Sequence, residues 1–412
     1  PSPLGDGGMI KRTLQELCLN ITDGKHGDCE NEENSGYYFI SCKDIFDGQI
    51  NYKNARQITK ADFEETHKRT MLEVDDILLT NSGTIGRMAF VTDREATTKT
   101  TFQKSVAIIK PDKQKVLPRY LYYQLQNCVP QFINSSNGSA QKNLLLSTMR
   151  TFQIEIEENR EKQEKIANTL SAYDDLIENN QKQIKLLEEA AQRLYKEWFV
   201  DLRFPEHENT KIVDGVPEGW KKNCAEKFFE ITIGKTPPRT EKRCFTTGKN
   251  GIPWVSIADM GNSGMFVLNT AENLTDDAIK QYNVKVIPKN AVLLSFKLTV
   301  GRVAIAPNDI CTNEAIAHFK GRRECEREYT YFYLKNFHYD ELGSTSSISK
   351  AVNSKIIKAM PFIMPSEKLL KEYSSKTKDI FDLIICKQKM DNNLKIARDR
   401  ILHKLMSGEV EV

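Results

Sequence analysis

Residues 160–199 read REKQEKIANTLSAYDDLIENNQKQIKLLEEAAQRLYKEWF, and this stretch decides the fold. Apolar or aromatic side chains recur in it with steps that alternate between four and three residues, interrupted only by Asn180: Ile166, Leu170, Tyr173, Ile177, Ile184, Leu187, Ala191, Leu194 and Trp198. This spacing is typical of a coiled coil, because an average of about 3.5 residues keeps one stripe facing a partner helix. The stretch has neither glycine nor proline. It predicts one helix on the order of 60 Å long, at ~1.5 Å per residue, which needs a second helix to cover its stripe.

The chain matches itself when it is shifted by 210 to 215 residues. Residues 36–41 fall on residues 251–256, and residues 77–80 fall on residues 292–295. Further matches in the same order are Gly86-Arg87 on Gly301-Arg302, Ala107 on Ala317, and Lys110 on Lys320. Chance matches would not keep one order and a nearly constant shift along the whole chain. The sequence therefore predicts a tandem duplication.

The duplication supplies the partner helix. With a shift of 210 residues, the stripe of the first helix falls on Ile380, Leu383, Met390, Leu394, Ala397 and Ile401, with Lys387 at the position of Ile177. We expect the two helices to pack antiparallel. Asn180, at the position of Met390, is either a device that fixes the register at some cost in stability or a tolerated polar residue.

Each repeat combines a globular part with one long helix. Short β-rich runs between Gly, Asn and Ser, and helical patterns near residues 116–132 and 329–337, predict an α+β fold for each globular part. The predicted domains are a first recognition domain (9–158), a first coiled-coil helix (159–200), a connector (201–215), a second recognition domain (216–365) and a second coiled-coil helix (366–406). Residues 1–8 have an odd composition, and we expect the natural chain to begin at Met9.

Composition excludes some classes of protein. The chain has 412 residues and a net charge of only +3, so any basic surface must be local. No apolar run approaches the ~20 residues that span a bilayer. The nine cysteines are scattered and form no Cys-x-x-Cys pair, which predicts no metal site and free thiols in a reducing cytoplasm.

Motifs for catalysis are missing. Gly234-Lys235-Thr236 resembles the end of a phosphate-binding loop, but Phe229 stands where its first glycine would be. There is no Gly-x-Gly-x-x-Gly, no His-Glu-x-x-His, no Gly-x-Ser-x-Gly and no cofactor loop of a DNA methyltransferase. We therefore expect no active site on this chain.

Polar, glycine-bearing loops recur at matching places in both repeats. Their side chains are of the types that contact phosphates and base edges, and glycine lets backbone N–H groups approach phosphate. The candidate DNA-binding residues of the first repeat are Lys25, Thr84, Arg87, Gln103, Lys104, Ser139, Gln141 and Lys142. Those of the second repeat are Lys235, Thr236, Arg239, Lys297, Arg302, Asn313, Ser346 and Lys350.

A solvated turn is the simpler explanation for any single loop, and positive φ alone would explain Gly86 and Gly301. Repetition of the loops in both repeats favours recognition. The loops differ more between the repeats than the strands do, as readers of two different half-sites would. Drift after duplication would produce the same difference.

Four segments carry a resemblance to a known family. Residues 190–205 read AAQRLYKEWFVDLRFP, residues 216–220 read VPEGW, residues 159–166 read NREKQEKI, and residues 402–408 read LHKLMSG. The first is similar to the end of the central helix and the following connector in the specificity (S) subunit of type I restriction-modification systems. The others are similar to the start of the second globular domain and to the two helix ends of that family. The resemblance covers nearly all of the chain.

The resemblance implies an architecture and a set of partners. It implies two target-recognition domains, each reading one half of a split site in double-stranded DNA, with the coiled coil setting the unread spacer. A rod of ~60 Å is commensurate with half-sites one to two helical turns apart, at about 34 Å per turn. It also implies a non-catalytic subunit that binds two methyltransferase subunits and, through them, motor-nuclease subunits. S-adenosylmethionine, ATP and magnesium would be bound by those partners and not by this chain.

Two other functions stay open at this point. The chain could be a non-enzymatic coiled-coil scaffold that presents two protein-binding domains, with no role for DNA. A self-sufficient modification enzyme is the third hypothesis, and the missing cofactor motifs oppose it.

Overall fold

The chain folds into two compact units, each built from a globe and parts of two long helices. The computed structural model describes residues 8–136, 142–248, 250–342 and 352–410. The first unit comprises Pro1–Asp175 and Lys395–Val412, and the second comprises Leu176–Leu394. Each unit therefore holds one globe together with one portion of each helix.

The first globe is a mixed α and β structure. Its strands are β1 (Met9–Thr13), β2 (Cys18–Asp23), β3 (Tyr38–Ile40), β4 (Ile45–Phe46), β5 (Gln49–Ile50), β6 (Arg56–Gln57), β7 (Ile77–Thr80), β8 (Met88–Phe90), β9 (Thr100–Phe102), β10 (Val106–Pro111) and β11 (Gln153–Glu157). Its α-helices are α1 (Lys60–Thr70), α2 (Pro118–Asn127), α3 (Val129–Asn134) and α4 (Leu146–Thr151). The main sheet has the order β2-β10-β7-β8, a smaller one has the order β6-β3-β9, and β1 pairs with β11.

The first long helix and the second globe follow. The helix α5 (Arg160–Tyr195) continues into a π-helical turn, Lys196–Val200. The strands after it are β12 (Ile212–Val213), β13 (Val216–Pro217), β14 (Lys221–Cys224), β15 (Glu230–Ile233), β16 (Phe245–Thr246), β17 (Ile252–Val255), β18 (Glu272–Leu274), β19 (Val292–Ser295), β20 (Val303–Ile305), β21 (Cys311–Thr312), β22 (Ile316–Lys320) and β23 (Pro361–Met364). The helices are α6 (Ala225–Phe228), α7 (Ile257–Asn262), α8 (Asp276–Gln281), α9 (Arg327–Asn336), α10 (Ser354–Ala359) and α11 (Glu367–Met406).

The two globes share one topology. The main sheet of the second globe has the order β15-β22-β19-β20, strand for strand the order of the first, and β14 pairs with β23 as β1 pairs with β11. Ala107 in β10 lies between Asp23 and Leu79, and Ala317 in β22 lies between Ile233 and Leu294. The alignment of Ala107 with Ala317 is therefore also a structural alignment, and the predicted α+β duplication is confirmed.

Local signals explain where the long helices begin and end. The side chain of Asn159 accepts hydrogen bonds from the N–H groups of Glu161 (2.9 Å) and Lys162 (3.2 Å), which caps the start of α5. Ser366 caps α11 in the same way, since its Oγ accepts from Leu369 N at 3.4 Å. After α11, Gly408 adopts a φ of 72°, the left-handed conformation that commonly ends a helix.

The helices pair antiparallel within each unit. In the second unit, the Tyr373 ring lies 5.9 Å from Trp198, and Lys387 Nζ donates to Asn180 Oδ1 at 3.4 Å, so later residues of α5 meet earlier residues of α11. In the first unit, the start of α5 shares a core with the end of α11, through Leu170 and Leu402. The predicted antiparallel arrangement is therefore observed.

The predicted stripe of the second helix is wrong at two positions. Leu383 and Met390 were assigned to the stripe, yet they are 43% and 50% exposed. The buried positions lie one residue later: Phe381, Ile384, Asp391, Leu402 and Leu405, with Ile380, Leu394, Ala397 and Ile401 half-buried beside them. In α5 the prediction was better, because Ile166, Leu170, Ile177, Asn180 and Ala191 are buried, and Tyr173, Ile184, Leu187 and Leu194 are half-buried.

Adjacent apolar residues account for the error. Leu383-Ile384 is an apolar pair, so both registers look like an apolar stripe in the sequence, and the true stripe carries a polar residue at Asp391. The structure also shows what selects the true register. Phe381 packs against Tyr331 and Phe332 of the second globe, with both ring centroids 5.8 Å away. The stripe of α11 is therefore buried by the globe as well as by α5.

Two remaining sequence expectations concern membranes and thiols. Within the described residues, no helix is both long and apolar enough to cross a membrane. Each of the nine cysteines is a free thiol.

The burial of Ile384 in α11 leads to a prediction about stability, and the neighbouring Leu383 provides the control. We expect Ile384→Ala to lower the free energy of unfolding by roughly 2–5 kcal/mol, because it opens a cavity in the core of the second unit. Leu383→Ala should change it by less than about 1 kcal/mol, because Leu383 is 43% exposed and lies outside the core. Urea denaturation of the two variants measures the difference. Equal losses, or a larger loss for Leu383→Ala, would restore the register predicted from the sequence.

Candidate nucleic-acid interface

Within the residues that the structure describes, the loops singled out in the sequence lie around one tight turn in each globe. Residues 103–105 join β9 to β10, and residues 313–315 join β21 to β22. Val106 N donates to Gln103 O at 3.0 Å in the first, and Ile316 N donates to Asn313 O at 3.3 Å in the second. We call these the central turns. Their exposed residues, Lys104 and Glu314, occupy the same position of the turn.

Backbone hydrogen bonds connect the neighbouring segments to the first central turn. They are Lys25 N to Phe102 O (2.8 Å), Gln103 N to Ile40 O (2.8 Å) and Asn81 N to Ser105 O (3.1 Å), and Leu144 N in turn donates to Asn81 O (2.8 Å). The loops that carry Lys25, Arg87, Lys104 and Lys142 are therefore brought together. Together they span more than 100 residues of the sequence, from Lys25 to Lys142.

The second central turn is held by the same set of bonds. They are Lys235 N to Thr312 O (2.9 Å), Asn313 N to Val255 O (3.0 Å) and Phe296 N to Ala315 O (2.9 Å). Each bond joins residues that correspond by the repeat. The loops carrying Lys235, Lys297 and Asn313 therefore meet as their counterparts do in the first globe.

Gly24 and Gly234 permit the closest of these contacts. A Cβ atom on Gly24 would lie 1.9 Å from Phe102 O, and one on Gly234 would lie 2.2 Å from Asn313 O. Any other residue would push the loop off the central turn. These two glycines are therefore explained by the packing of one loop on another, without a phosphate.

Gly86 and Gly301 have a different role, and the two are again equivalent. Each has a φ of 91°. Gly86 N donates to Thr80 O and Gly301 N donates to Ser295 O, both at 3.0 Å. The turn itself requires glycine at both positions.

Several candidate side chains are exposed around the central turns. They are Thr84, Arg87, Lys104 and Lys142 in the first globe, and Lys235, Arg239 and Lys297 in the second. Cationic side chains on loops held by rigid strands are suited to contact phosphates. Exposure is thus consistent with the predicted role for these residues.

Other candidates are engaged within the protein. Lys25 Nζ lies 3.1 Å from Asp62 and 3.3 Å from Glu65, both on α1, and its side chain is 21% exposed. The hydrogen bond to Asp62 raises the pKa of Lys25. Because Asp62 and Glu65 already compensate its charge, Lys25 is less suited to contact a phosphate than the exposed cations are.

Three further candidates, Gln103, Asn313 and Arg302, form hydrogen bonds within the protein. Gln103 Oε1 accepts from Ser105 Oγ at 3.3 Å, and Asn313 Oδ1 accepts from Ala315 N at 3.1 Å. Arg302 Nη1 donates to Ile257 O at 2.6 Å, across the base of its loop. All three side chains shape the loops from inside.

Arg239 is held in a fixed pose. Its guanidinium lies 4.2 Å from the Phe245 ring centroid and 4.6 Å from that of Trp254, and Nη1 donates to Glu272 at 2.6 Å. Cation–π stacking and the ion pair together limit its rotamers. Its side chain nevertheless remains 52% exposed.

Four of the candidates, Ser139, Gln141, Ser346 and Lys350, lie outside the residues that the structure describes.

Comparison with known proteins assigns the family. The sequence profile of the family described as "Type I restriction modification DNA specificity domain" matches residues 10–189 and again residues 217–394. The chain belongs to this DNA specificity domain family. Because one chain matches the profile twice, the duplication and the family assignment support each other.

Curated relatives match over most of their length. The Type I restriction enzyme MjaIX specificity subunit of Methanocaldococcus jannaschii is 28% identical over 392 residues, covering 91% of this chain and 87% of the relative. The Type I restriction enzyme HindI specificity subunit of Haemophilus influenzae is 24% identical over 370 residues, covering 74% and 80%. The crystal structure of a type I restriction-modification S subunit from M. genitalium aligns with a TM-score of 0.57 at 15% identity, covering 98% of both chains. This likeness shows that the fold is shared.

Sequence reasoning about this specificity-domain protein missed Glu314. Thr236 Oγ1 donates a hydrogen bond to its carboxylate. Partial burial alone would raise the pKa of Glu314, but the hydrogen bond from Thr236 and the charges of Lys297 and Arg239 lower it overall. The signal was present, since the repeat alignment places Glu314 at the position of Lys104.

His318 lies beneath the second central turn. It is 1% exposed in β22, with its ring nitrogens 2.9 Å from Thr232 Oγ1 and 2.6 Å from Thr312 Oγ1. Burial lowers the pKa of His318 to about 3. At neutral pH the imidazole is therefore uncharged, and the two hydroxyl groups satisfy it. The His318 side chain next to this turn is thus neutral and buried.

This burial predicts a specific pH dependence. The folded pKa of His318 lies below the usual value of 6.5, so the unfolded chain binds the extra proton first. Stability should therefore fall as the pH drops from 6.5 towards 3, by about 2 kcal/mol at pH 5 from this residue. In urea denaturation between pH 7.5 and pH 5, His318→Gln should lose less stability than the wild-type chain. His403→Gln, at an exposed histidine, should lose as much stability over this pH range as the wild-type chain. An equal loss for His318→Gln would show that the burial of His318 does not cause the pH dependence.

Proposed function

We propose that this chain is the DNA sequence-specificity subunit of a type I restriction-modification enzyme. Each globe reads one half of a split site in double-stranded DNA. One observation carries the proposal: both copies of the DNA specificity domain present exposed loops around the same rigid turn, with different side chains on it. An identical scaffold with different side chains suits two readers of two different half-sites.

The subunit is proposed to act without catalysis of its own. The methyltransferase subunits that it binds would carry S-adenosylmethionine, and motor-nuclease subunits bound through them would use ATP and magnesium. The family assignment and the relatives, which are named as specificity subunits of restriction enzymes, support this division of labour. We place the assembly in the cytoplasm, where both the DNA and the reducing conditions for nine free thiols are found.

The alternative function, a scaffold with two protein-binding domains, has less support. Both matched segments belong to a family described by DNA specificity. The exposed residues around the central turns are mostly cations, which favours a polyanionic partner.

Mapping of modified bases tests the function directly. The full chain is co-expressed with the methyltransferase subunit from its native host, in a strain without DNA methylation, and modified bases are read across the genome. We expect one split motif, present only when the chain is present. Modification without sequence preference, or the same motif from the methyltransferase alone, would contradict the proposal.

The long helices are proposed to set the spacer between the half-sites. The compact units divide after Asp175 in α5 and after Leu394 in α11. One heptad is added to each helix by inserting a second copy of residues 169–175 after Asp175 and a second copy of residues 388–394 after Leu394. Seven residues add about 10.5 Å, or about three base pairs at ~34 Å per turn. We therefore expect the mapped spacer to lengthen by about three base pairs with both half-sites unchanged.

The control for this experiment is an insertion of four residues at the same two points. Four residues break the seven-residue repeat and rotate the apolar stripe away from its partner. That variant should lose the split motif. A heptad insertion that altered a half-site and kept the spacer would show that the helices do not measure the distance.

A further inference from the structure

The two central turns have one backbone and opposite charges. Lys104 and Glu314 are both exposed, and each is the second residue of its four-residue turn. A lysine ammonium group can only donate hydrogen bonds, and an ionised carboxylate can only accept them. The two globes therefore present opposite hydrogen-bonding capacities at the same point.

The equivalence of Lys104 and Glu314 rests on hydrogen bonds and not on alignment alone. The residue before each, Gln103 or Asn313, donates its N–H to the end of a strand, at Ile40 O (2.8 Å) or Val255 O (3.0 Å). The residue after each, Ser105 or Ala315, accepts at its carbonyl from the next loop, at 3.1 Å and 2.9 Å. Both turns are thus clamped on both sides, and their exposed side chains leave the backbone from the same place.

The surroundings of Glu314 show that its charge is maintained. The Thr236 hydroxyl group donates to it, and the nearby charges of Lys297 and Arg239 favour the ionised form. Thr236, Lys297 and Arg239 all belong to the loops around the second central turn. A carboxylate thus stands at the centre of the cationic loops of this globe.

A carboxylate at a DNA-facing surface restricts what it can contact. Phosphate repels it, so Glu314 cannot help to hold the backbone of the duplex. Base edges in the major groove offer it two donors, the N4 amino group of cytosine and the N6 amino group of adenine. Lysine at the same place matches the O6 and N7 acceptors of guanine.

We propose that this turn position determines base specificity in both globes, with Glu314 accepting from the amino group of cytosine or adenine and Lys104 donating to guanine. The proposal rests on the proposed function and adds to it the residue that reads and the class of base edge that is read. A purely structural role for Glu314, in which it only orders the three side chains around it, gives different experimental results.

The test uses the full chain with its methyltransferase partner and the genome-wide mapping of modified bases. Glu314→Gln keeps the shape and adds a donor, so preference at one base pair of one half-site should fall roughly 10- to 100-fold. Glu314→Lys should change the preferred base at that position to guanine. The other half-site should be unchanged in both variants. The control, Glu230→Gln, alters an exposed carboxylate at the opposite end of β15 from the loop at Gly234 and should leave the motif intact.

The reciprocal change is Lys104→Glu. We expect it to alter one position of the other half-site, from guanine to cytosine or adenine. Together the variants also assign each half-site to its globe, since each affects only one half.

The outcomes separate this inference from the proposed function. If the wild-type chain gives no motif, the function itself fails. If the wild type gives a split motif and both Glu314 variants give the same one, the function stands and the inference is wrong. A weaker but unchanged motif, or loss of all modification without a new base preference, also overturns it, because that is the result of a purely structural role.

Discussion

The candidate interface depends on one close contact, the approach of a glycine to the strand next to it. At Gly24 and at Gly234 a side chain would overlap the backbone of the neighbouring segment. Without that contact, the loop after β2 or β15 could not form its hydrogen bond to the end of β9 or β21. The central turn would then lose one of its supports. The same constraint applies in both globes. The loops are therefore positioned by backbone packing, whichever exposed side chains they carry.

This division between backbone and side chain has a functional consequence. Because backbone hydrogen bonds hold each central turn, its exposed residue contributes little to the stability of the fold. Lysine and glutamate can therefore occupy one position without altering the scaffold, as Lys104 and Glu314 do. Side chains that do brace the loops, such as Arg302 with Ile257 O, cannot vary so freely. A domain built in this way can accept different exposed side chains while its fold stays the same.

The sequence predicted those parts of the structure that leave a periodic apolar pattern or an internal repeat in the chain. The duplication, the strands such as β7 and β10, and the pairing of two long helices were all visible, because each leaves a regular pattern. The register of α11 was not, because Leu383 and Ile384 are both apolar and only packing on the second globe distinguishes them. The ion pair of Lys25 with Asp62 joins residues too far apart in the chain to be inferred from spacing. The burial of His318 depends on two threonines from other strands, which no local pattern reveals.

Polar contacts along the helices explain how one register is selected. In the first unit, Asp174 accepts from Tyr123 at 2.6 Å and from Arg398 at 2.7 Å, so it joins α5 to both the globe and α11. In the second unit, the corresponding region of the helix pair is aromatic, with Phe199 and Tyr373 rings 4.9 Å apart. The ion pair between Asp174 and Arg398 is partly buried, with both side chains 21% exposed, and a slipped register would break it. Within each unit, these contacts therefore favour one alignment of α5 with α11.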